Sequence, residues 1–291
     1  MDYSIETLKA AIVEVPPCPT FEGRGCVIVA GGFYLPMAFL NLKGLRLNGC
    51  TLPVQIWHLG PREVPDFVRP IFRKLGAEFV DAFQGRVGME GSRSAGWQTK
   101  CLAIAKSPFE EVLFLDADNF ALANPEYLFD LAEYRDRGAI FWPDFYGEGA
   151  DIWCIKPRAW EFLGLPPLVG AELESGQMVI HKTKCWSSLC IASHMNQHAD
   201  FYYEQCTYGD KDTFRLAWLL MDQEPYIIPH RPTMVHKKWE VWWQHAPNGA
   251  VLFQHGRKWK LPPYNNPHIR GALFEDECLE WLAEFEAESM R

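Results

Sequence analysis

The sequence predicts an α/β protein built on a mostly parallel sheet flanked by helices, and three observations carry that prediction. Short runs rich in Val, Ile and aromatic residues alternate with helix-length segments through the first half of the chain. One run, Val112-Leu-Phe-Leu115, is continuously apolar, as a central strand covered on both faces must be. The 291 residues are 48% hydrophobic and 22% charged, enough to bury a large core without disulfides.

The first predicted strand is Cys26-Val-Ile-Val-Ala30, stopped by Gly31-Gly32. A helix near 36–48 ends at Asn48-Gly49, a helix-stop signal. Pro53-Val-Gln-Ile-Trp-His-Leu59 reads as the second strand, 64–75 as a helix, and Ala77-Glu-Phe-Val-Asp-Ala82 as the third strand. A helix at 97–106 leads into the apolar run at 112–115, after which Asn119 and Pro125 supply turn chemistry. The second half is less regular. It offers a strand at Gln177-Met-Val-Ile-His181, a helix at 210–221, short strands near 225–228 and 250–254, and a helix at 275–288. No Ser/Gly-rich linker, charge block or internal repeat interrupts the chain, which predicts a single domain over residues 1–291.

A net charge of -9 argues against a nucleic-acid or anionic-membrane partner. The nine cysteines are odd in number and lack C-x-x-C spacing, a pattern of reduced, buried thiols rather than a disulfide framework or zinc site. The N-terminal stretch carries acids and prolines where a secretory signal needs an apolar core. The most hydrophobic region, 26–42, is broken by Gly31, Gly32, Pro36 and Asn41, so no transmembrane segment is expected.

The chemistry gathers where the apolar strand ends. Asp116 and Asp118, two residues apart on a strand, point the same way and present hard oxygens to one divalent cation. Such a cation could bridge the two phosphates of a nucleotide diphosphate; the other reading is a solvated acidic turn. Near the C-terminus, Val251-Leu-Phe-Gln-His-Gly-Arg-Lys-Trp259 brings His255, which could complete the ligand set, and Arg257 and Lys258, which could hold a diphosphate. Mixed nitrogen and oxygen ligation suits Mn²⁺ somewhat better than Mg²⁺. The alternative is a basic surface turn with a structural histidine.

In order and context, four segments resemble the metal-dependent nucleotide-sugar glycosyltransferases of the GT-A fold. They are Ala30-Gly-Gly32 with Gly44-Leu-Arg46 and Leu52-Pro-Val54; residues 100–109 leading to Phe114-Leu-Asp-Ala-Asp118; Glu174-Ser-Gly-Gln177; and Gly209-Asp-Lys-Asp-Thr-Phe214. The resemblance is strongest to the fungal α-mannosyltransferases that extend cell-wall mannan, and more distant to the glycogenin-like retaining family. It implies a Rossmann-like nucleotide-binding half at about 22–125 and an irregular sugar- and acceptor-binding half at about 126–291. It also implies that Asp116-Ala117-Asp118 binds metal and donor, and that His255 is the third metal ligand. Gly256, Arg257 and Lys258 would lie at the diphosphate, although the spacing is compressed and no proline follows the lysine.

By the same resemblance Ala30, Gly31 and Gly32 lie beside the base and ribose; on the residues alone they are equally a tight turn. Trp97 and Lys100 open a helix, where Lys100 either reaches a phosphate or is a solvated helix lysine. Glu174 and Gln177 offer an acid and an amide at a glycine-permitted turn, suited to sugar hydroxyls or to the anomeric carbon. Asp210 and Asp212 fall in the segment that recognises the transferred sugar, and Asp210 is also a candidate N-cap. Asp144 is a further candidate for sugar or acceptor. The aromatic stretch at 239–245 either stacks acceptor sugars or packs the core, and His194 with His198 reads as a solvated pair rather than a zinc site.

The function implied is retaining transfer from a nucleotide-diphosphate sugar to a glycan, lipid or protein acceptor. GDP-mannose is favoured as donor, with UDP-glucose, UDP-galactose or UDP-N-acetylglucosamine as alternatives. A nucleotidyltransferase would carry basic residues in the loop after the first strand, which Gly31-Gly32-Phe33-Tyr34 lacks, and an inactive binding protein would not need both aspartates. Fungal relatives of this kind work in the Golgi lumen behind an anchor. The free cysteines and absent signal favour the cytoplasm here, unless an N-terminal anchor has been removed.

Overall fold

The computed structural model describes residues 5–83, 96–145, 154–238, 240–256 and 272–289. After a first helix, α1 (Ile5–Val13), the chain builds β1 (Arg24–Val29), α2 (Leu35–Leu47), β2 (Val54–His58), α3 (Val68–Lys74), β3 (Ala77–Asp81), α4 (Thr99–Lys106) and β4 (Glu111–Asp116). These four strands are parallel and lie in the order β3-β2-β1-β4. Three further strands extend the sheet past β4: β6 (Ala139–Pro143), β7 (Leu173–His181) and β8 (Tyr226–Ile227), in the order β4-β7-β6-β8. Only β7 runs against its neighbours, so the sheet is mostly parallel, as expected.

Strand alternation divides the core into two layers. Cys26, Ile28, Leu113 and Leu115 face one side, against Phe39 of α2 and Phe72 of α3. Val27, Val112 and Phe114 face the other, against α4 and two later helices, α7 (Trp186–Gln197) and α9 (Lys211–Leu220). The last helix, α10 (Glu275–Ser289), adds Phe285 to the first layer.

A second, antiparallel sheet forms from β5 (Asn119–Ala121), β9 (Thr233–His236), β10 (Val241–His245) and β11 (Val251–Gly256), in the order β5-β11-β10-β9. Its edge strand β5 follows β4 after only two residues, so the chain steps directly from one sheet into the other. Phe120 of β5 seats on Gly44 of α2, where an added Cβ would come within 2.5 Å of the phenylalanine ring. That contact accounts for a glycine inside a helix, where it otherwise weakens the helix.

Several expectations are corrected. Asn119 does not close a turn but opens β5, fully buried. Glu174-Ser-Gly-Gln177 lies inside β7 rather than in a turn before it, because the strand begins at Leu173. The helix expected at 64–75 is shortened to α3, since the chain leaves a 3₁₀ turn at Pro61–Glu63 and residues 64–67, with Pro65 among them, form a bend and a turn. The irregular second half contains β6, β9 and β10 as well as α5 (Ala132–Arg137), α6 (Pro157–Leu163), α7 and α8 (Ala199–Gln205). Among the described residues, which include all nine cysteines, there is no disulfide, and only Cys18 is exposed. No described helix is long and apolar enough to cross a membrane.

Gly44→Val forces side-chain volume against Phe120 at the junction of the two sheets. It is expected to lower unfolding stability by about 1–3 kcal/mol, the usual cost of overpacking. Urea denaturation measures this, and an unchanged midpoint would contradict the packing role.

Candidate functional site

β4 carries Asp116 to the carboxyl edge of the main sheet, where its backbone carbonyl accepts a 3.0 Å hydrogen bond from the Asn41 side chain of α2. The chain then crosses through Ala117 and Asp118 into β5. Pairing of β11 with β5 places His255 opposite Asn119, and the Gly256 amide donates to the Asp118 carbonyl at 3.2 Å. His255 Nε2 thereby comes to 3.4 Å from Asp118 Oδ1. One ligand atom from each of Asp116, Asp118 and His255 lies within 4.8 Å of the others. Two carboxylate oxygens and an imidazole fit a divalent cation of the Mn²⁺ type, and the charge balance described next leaves room for one.

Glycine permits this convergence. A Cβ on Gly176 of β7 would stand 2.7 Å from His255 Cε1, so a side chain there would push the imidazole off the aspartates. Nearby, Asn119 Nδ2 donates to the Gly176 carbonyl at 2.8 Å and to Gln177 Oε1 at 2.5 Å, tying β5 to β7.

Burial pushes the Asp116 carboxyl above its ordinary pKa, and the adjacent Asp118 adds to the rise; Lys100 and His255 oppose it without cancelling it. Burial pulls in the opposite direction on Lys100, but Asp116 and Asp210 more than reverse it and hold the ammonium charged. Lys100 is therefore not a solvated helix lysine. Its Nζ donates to Asp116 Oδ2 at 2.9 Å and to Ser175 Oγ at 3.2 Å, and it lies 3.3 Å from Asp210 Oδ2. Ser175 Oγ also donates to Asp210 Oδ2 at 3.0 Å. Burial likewise lowers His255, but Asp118, Glu174 and Asp116 raise it above the usual imidazole value. Four acids, Asp116, Asp118, Asp210 and Glu174, thus stand around two bases, Lys100 and His255.

Glu174 stands near this centre with Oε1 accepting from the Ser175 and Gly176 amides at 2.8 and 2.7 Å. Burial and then Asp144 raise its pKa. Asp144, at the end of β6, is paired with Lys211. The other predicted residues divide. Asp210 occupies the N-cap position of α9 but makes no side-chain cap; its carboxylate goes to Lys100 and Ser175 instead. Asp212 does not join the Asp116 cluster. It groups with buried Cys154 and Glu172, where burial raises its pKa to about 7. Gln177 is fully buried; its amide oxygen accepts from Asn119, while its Nε2 has no hydrogen-bond partner among the described residues. It lies in β7, between β4 and β6, paired with Leu115; next to it β6 slips against β7, so that Ile140 pairs with Val179 but Trp142 pairs with Glu174.

Arg257 and Lys258 lie outside the described residues, as does Trp239. Trp242 of β10 meets the His255 ring edge-on, with centroids 5.0 Å apart, and stacks with Phe145 at 6.4 Å. His194 and His198 are half-buried and edge-to-face at 4.7 Å rather than solvated, and burial pushes His194 down to about 4.

A cavity of about 420 Å³ opens beside the aspartates. It runs from Lys100, Asp116 and Asp118 past Ala30, Gly31 and Gly32 to Trp57, His58 and Glu63. Gly31 is not bare toward the cavity, because the Glu63 side chain fills the space its Cβ would take. Gly32 is needed for its backbone, at φ +55. Sequence reasoning missed Asn41, Asn119, Ser175 and Glu63 as parts of the site. For Asn41 a signal existed, a lone amide within an apolar helix.

The sequence profile of a family described as "Mannosyltransferase putative" matches residues 23–158 and 168–241. The chain is 28% identical over 249 residues to Alpha-1,2-mannosyltransferase MNN2 of Saccharomyces cerevisiae, covering 70% of this chain and 41% of that protein. With Alpha-1,2-mannosyltransferase MNN21 of Candida albicans it shares 31% identity over 282 residues, covering 78% and 41%. The chain thus spans about two fifths of the length of these relatives. A solved structure of the WbbM bifunctional glycosyltransferase superposes with a TM-score of 0.50 at 12% identity, over 72% of this chain and 40% of that one. This likeness shows the fold, that of the GT-A glycosyltransferases.

Gly176→Ala is expected to displace His255 and weaken Mn²⁺ binding about 10-fold or more, in the range seen when the support of a metal ligand is lost. Titration calorimetry with MnCl₂ alone measures it, and wild-type affinity would show that His255 is not a ligand.

Proposed function

The chain belongs to the mannosyltransferase family whose profile it matches, and from that premise we propose that it transfers a mannosyl group from GDP-mannose to a hydroxyl of a glycan or other acceptor, with retention at the anomeric carbon. The observation that supports this best is the convergence of Asp116, Asp118 and His255 on one point at the mouth of the cavity. Those three residues would hold Mn²⁺ or Mg²⁺, which neutralises the diphosphate as it leaves.

The remaining roles follow from what each side chain touches. Lys100 holds the Asp116 carboxylate and lies against Asp210, so the two acids share one ammonium. Glu174, pinned by two backbone amides, puts a carboxyl group beside the site, where positive charge would develop on the sugar ring in the transition state. Trp242 and Phe145 offer an aromatic platform next to His255 for an acceptor sugar. We take the chain to act as one domain, with the donor bound by its first half and the acceptor by its second; the core layer shared by α2, β4 and β11 supports this.

Asp118→Asn keeps the shape of the side chain and removes one charge from the ligand set. It is expected to lower metal-dependent mannosyl transfer from GDP-mannose by about 100-fold or more, with an unchanged melting temperature. A GDP-release assay with a mannoside acceptor measures it. Full turnover in this variant would overturn the metal assignment.

A further inference from the structure

At the end of the cavity away from the aspartates stands a carboxylate that the metal cluster does not use. We propose that Glu63 reads the base of the nucleotide donor and selects guanine over uracil, an inference that rests on the reading of the cavity as a nucleotide-sugar site.

The sheet sets the distance. Asp116 of β4 and Trp57 of β2 both pair with Val29 of β1, from opposite sides. They are therefore two strand spacings apart, about 10 Å. A ribose and a base must bridge that interval if the diphosphate sits at Asp116 and Asp118. The 3₁₀ turn Pro61–Glu63 follows β2 and lines the cavity, and its Glu63 side chain reaches back over Gly31, the second residue after β1.

There the carboxylate is held before any ligand arrives. Glu63 Oε2 accepts from the Leu59 amide at 2.7 Å. The same side chain lies on Gly31, where an added Cβ would stand 2.2 Å from Oε2. Among the described residues no hydrogen bond engages Oε1. His58 lines the same end, and its Nδ1 faces the Gly60 carbonyl at 2.9 Å. That contact makes Nδ1 the donor and leaves Nε2 an acceptor, which is buried without a partner. Glu63 Oε1 is therefore the acceptor this end presents, because His58 Nε2 is buried out of a ligand's reach. Among the described lining residues the cation, Lys100, is at the other end, on Asp116.

Guanine matches this pattern, because its Watson–Crick edge places two donors, N1–H and N2–H, side by side for the two oxygens of one carboxylate. Uracil has a single N–H between two carbonyls, so one of its carbonyl oxygens would face a carboxylate oxygen. Adenine and cytosine each turn a ring-nitrogen lone pair toward the acid. Selection therefore combines a paired contact for guanine with repulsion of the other bases. Phe33 and Trp97, 55% and 51% exposed on the cavity wall, offer flat faces for the ring to stack on.

Titration calorimetry with MnCl₂ and GDP, IDP or UDP tests the proposal on wild type and on Glu63→Gln. Wild type should prefer GDP to UDP by about 10- to 100-fold, the scale of one good bidentate contact to a base. IDP lacks the 2-amino group and should fall between them. In Glu63→Gln, GDP should weaken by a similar factor while UDP stays within about twofold, which also shows that the cavity remains folded. Equal loss of GDP and UDP in the variant, or wild-type preference for UDP, would overturn the role of Glu63 and leave the metal site standing. Absence of Mn²⁺-dependent binding to every nucleotide would overturn the nucleotide-sugar reading itself, and Glu63's role with it.

Discussion

Two aspartates one residue apart at the end of a buried strand repel each other, and much of this structure is arranged around that repulsion. Compensation comes from two directions. Lys100 approaches from α4 on one side of the main sheet, and His255 approaches from β11 in the second sheet. Neither offsets burial, which together with Asp118 keeps the Asp116 carboxyl above its ordinary pKa. The two aspartates and His255 are thereby grouped, with one ligand atom of each within 4.8 Å of the others.

Because half of the compensation is delivered by another sheet, the site is only as accurate as the junction between the sheets. That junction is made of close contacts with little tolerance. Phe120 rests on Gly44, His255 rests on Gly176, and Asn119 bonds both the backbone and the side chain of β7. Behind it, Asp144 and Glu172 meet Lys211 at the start of α9, while Asp210 reaches forward to Lys100. The start of α9 is thus held between a buried charge cluster and the site, which fixes where Asp210 stands.

The parallel half of the fold was legible because its strands are continuous apolar runs and its helices end in recognisable signals, as at Asn48-Gly49. Asp116, Asp118 and His255 were legible as residue types suited to a metal, and the structure brings them together across 137 to 139 positions of sequence. What escaped was everything that depends on a pairing partner. Gln177 is buried where β7 pairs with β4, and Ser175 meets Lys100 where β6 slips against β7; no local pattern announces either. Asn119 looked like a turn residue because asparagine favours turns; pairing with β11 overrides that preference. Asp212 shares a motif with Asp210, yet positions two apart at a helix start face different neighbours, and Asp212 was carried to the buried cluster. Glu63 gave no signal at all, since its meaning comes from the missing side chain of Gly31.

Anomalous diffraction at the manganese edge, from crystals soaked in MnCl₂ and GDP, locates the cation directly. The account requires a peak bounded by Asp116, Asp118 and His255, with the diphosphate against it. A peak at Cys154, Glu172 and Asp212 instead, the other described group with ligand spacing, would contradict it, and so would a nucleotide bound with no peak at the aspartates.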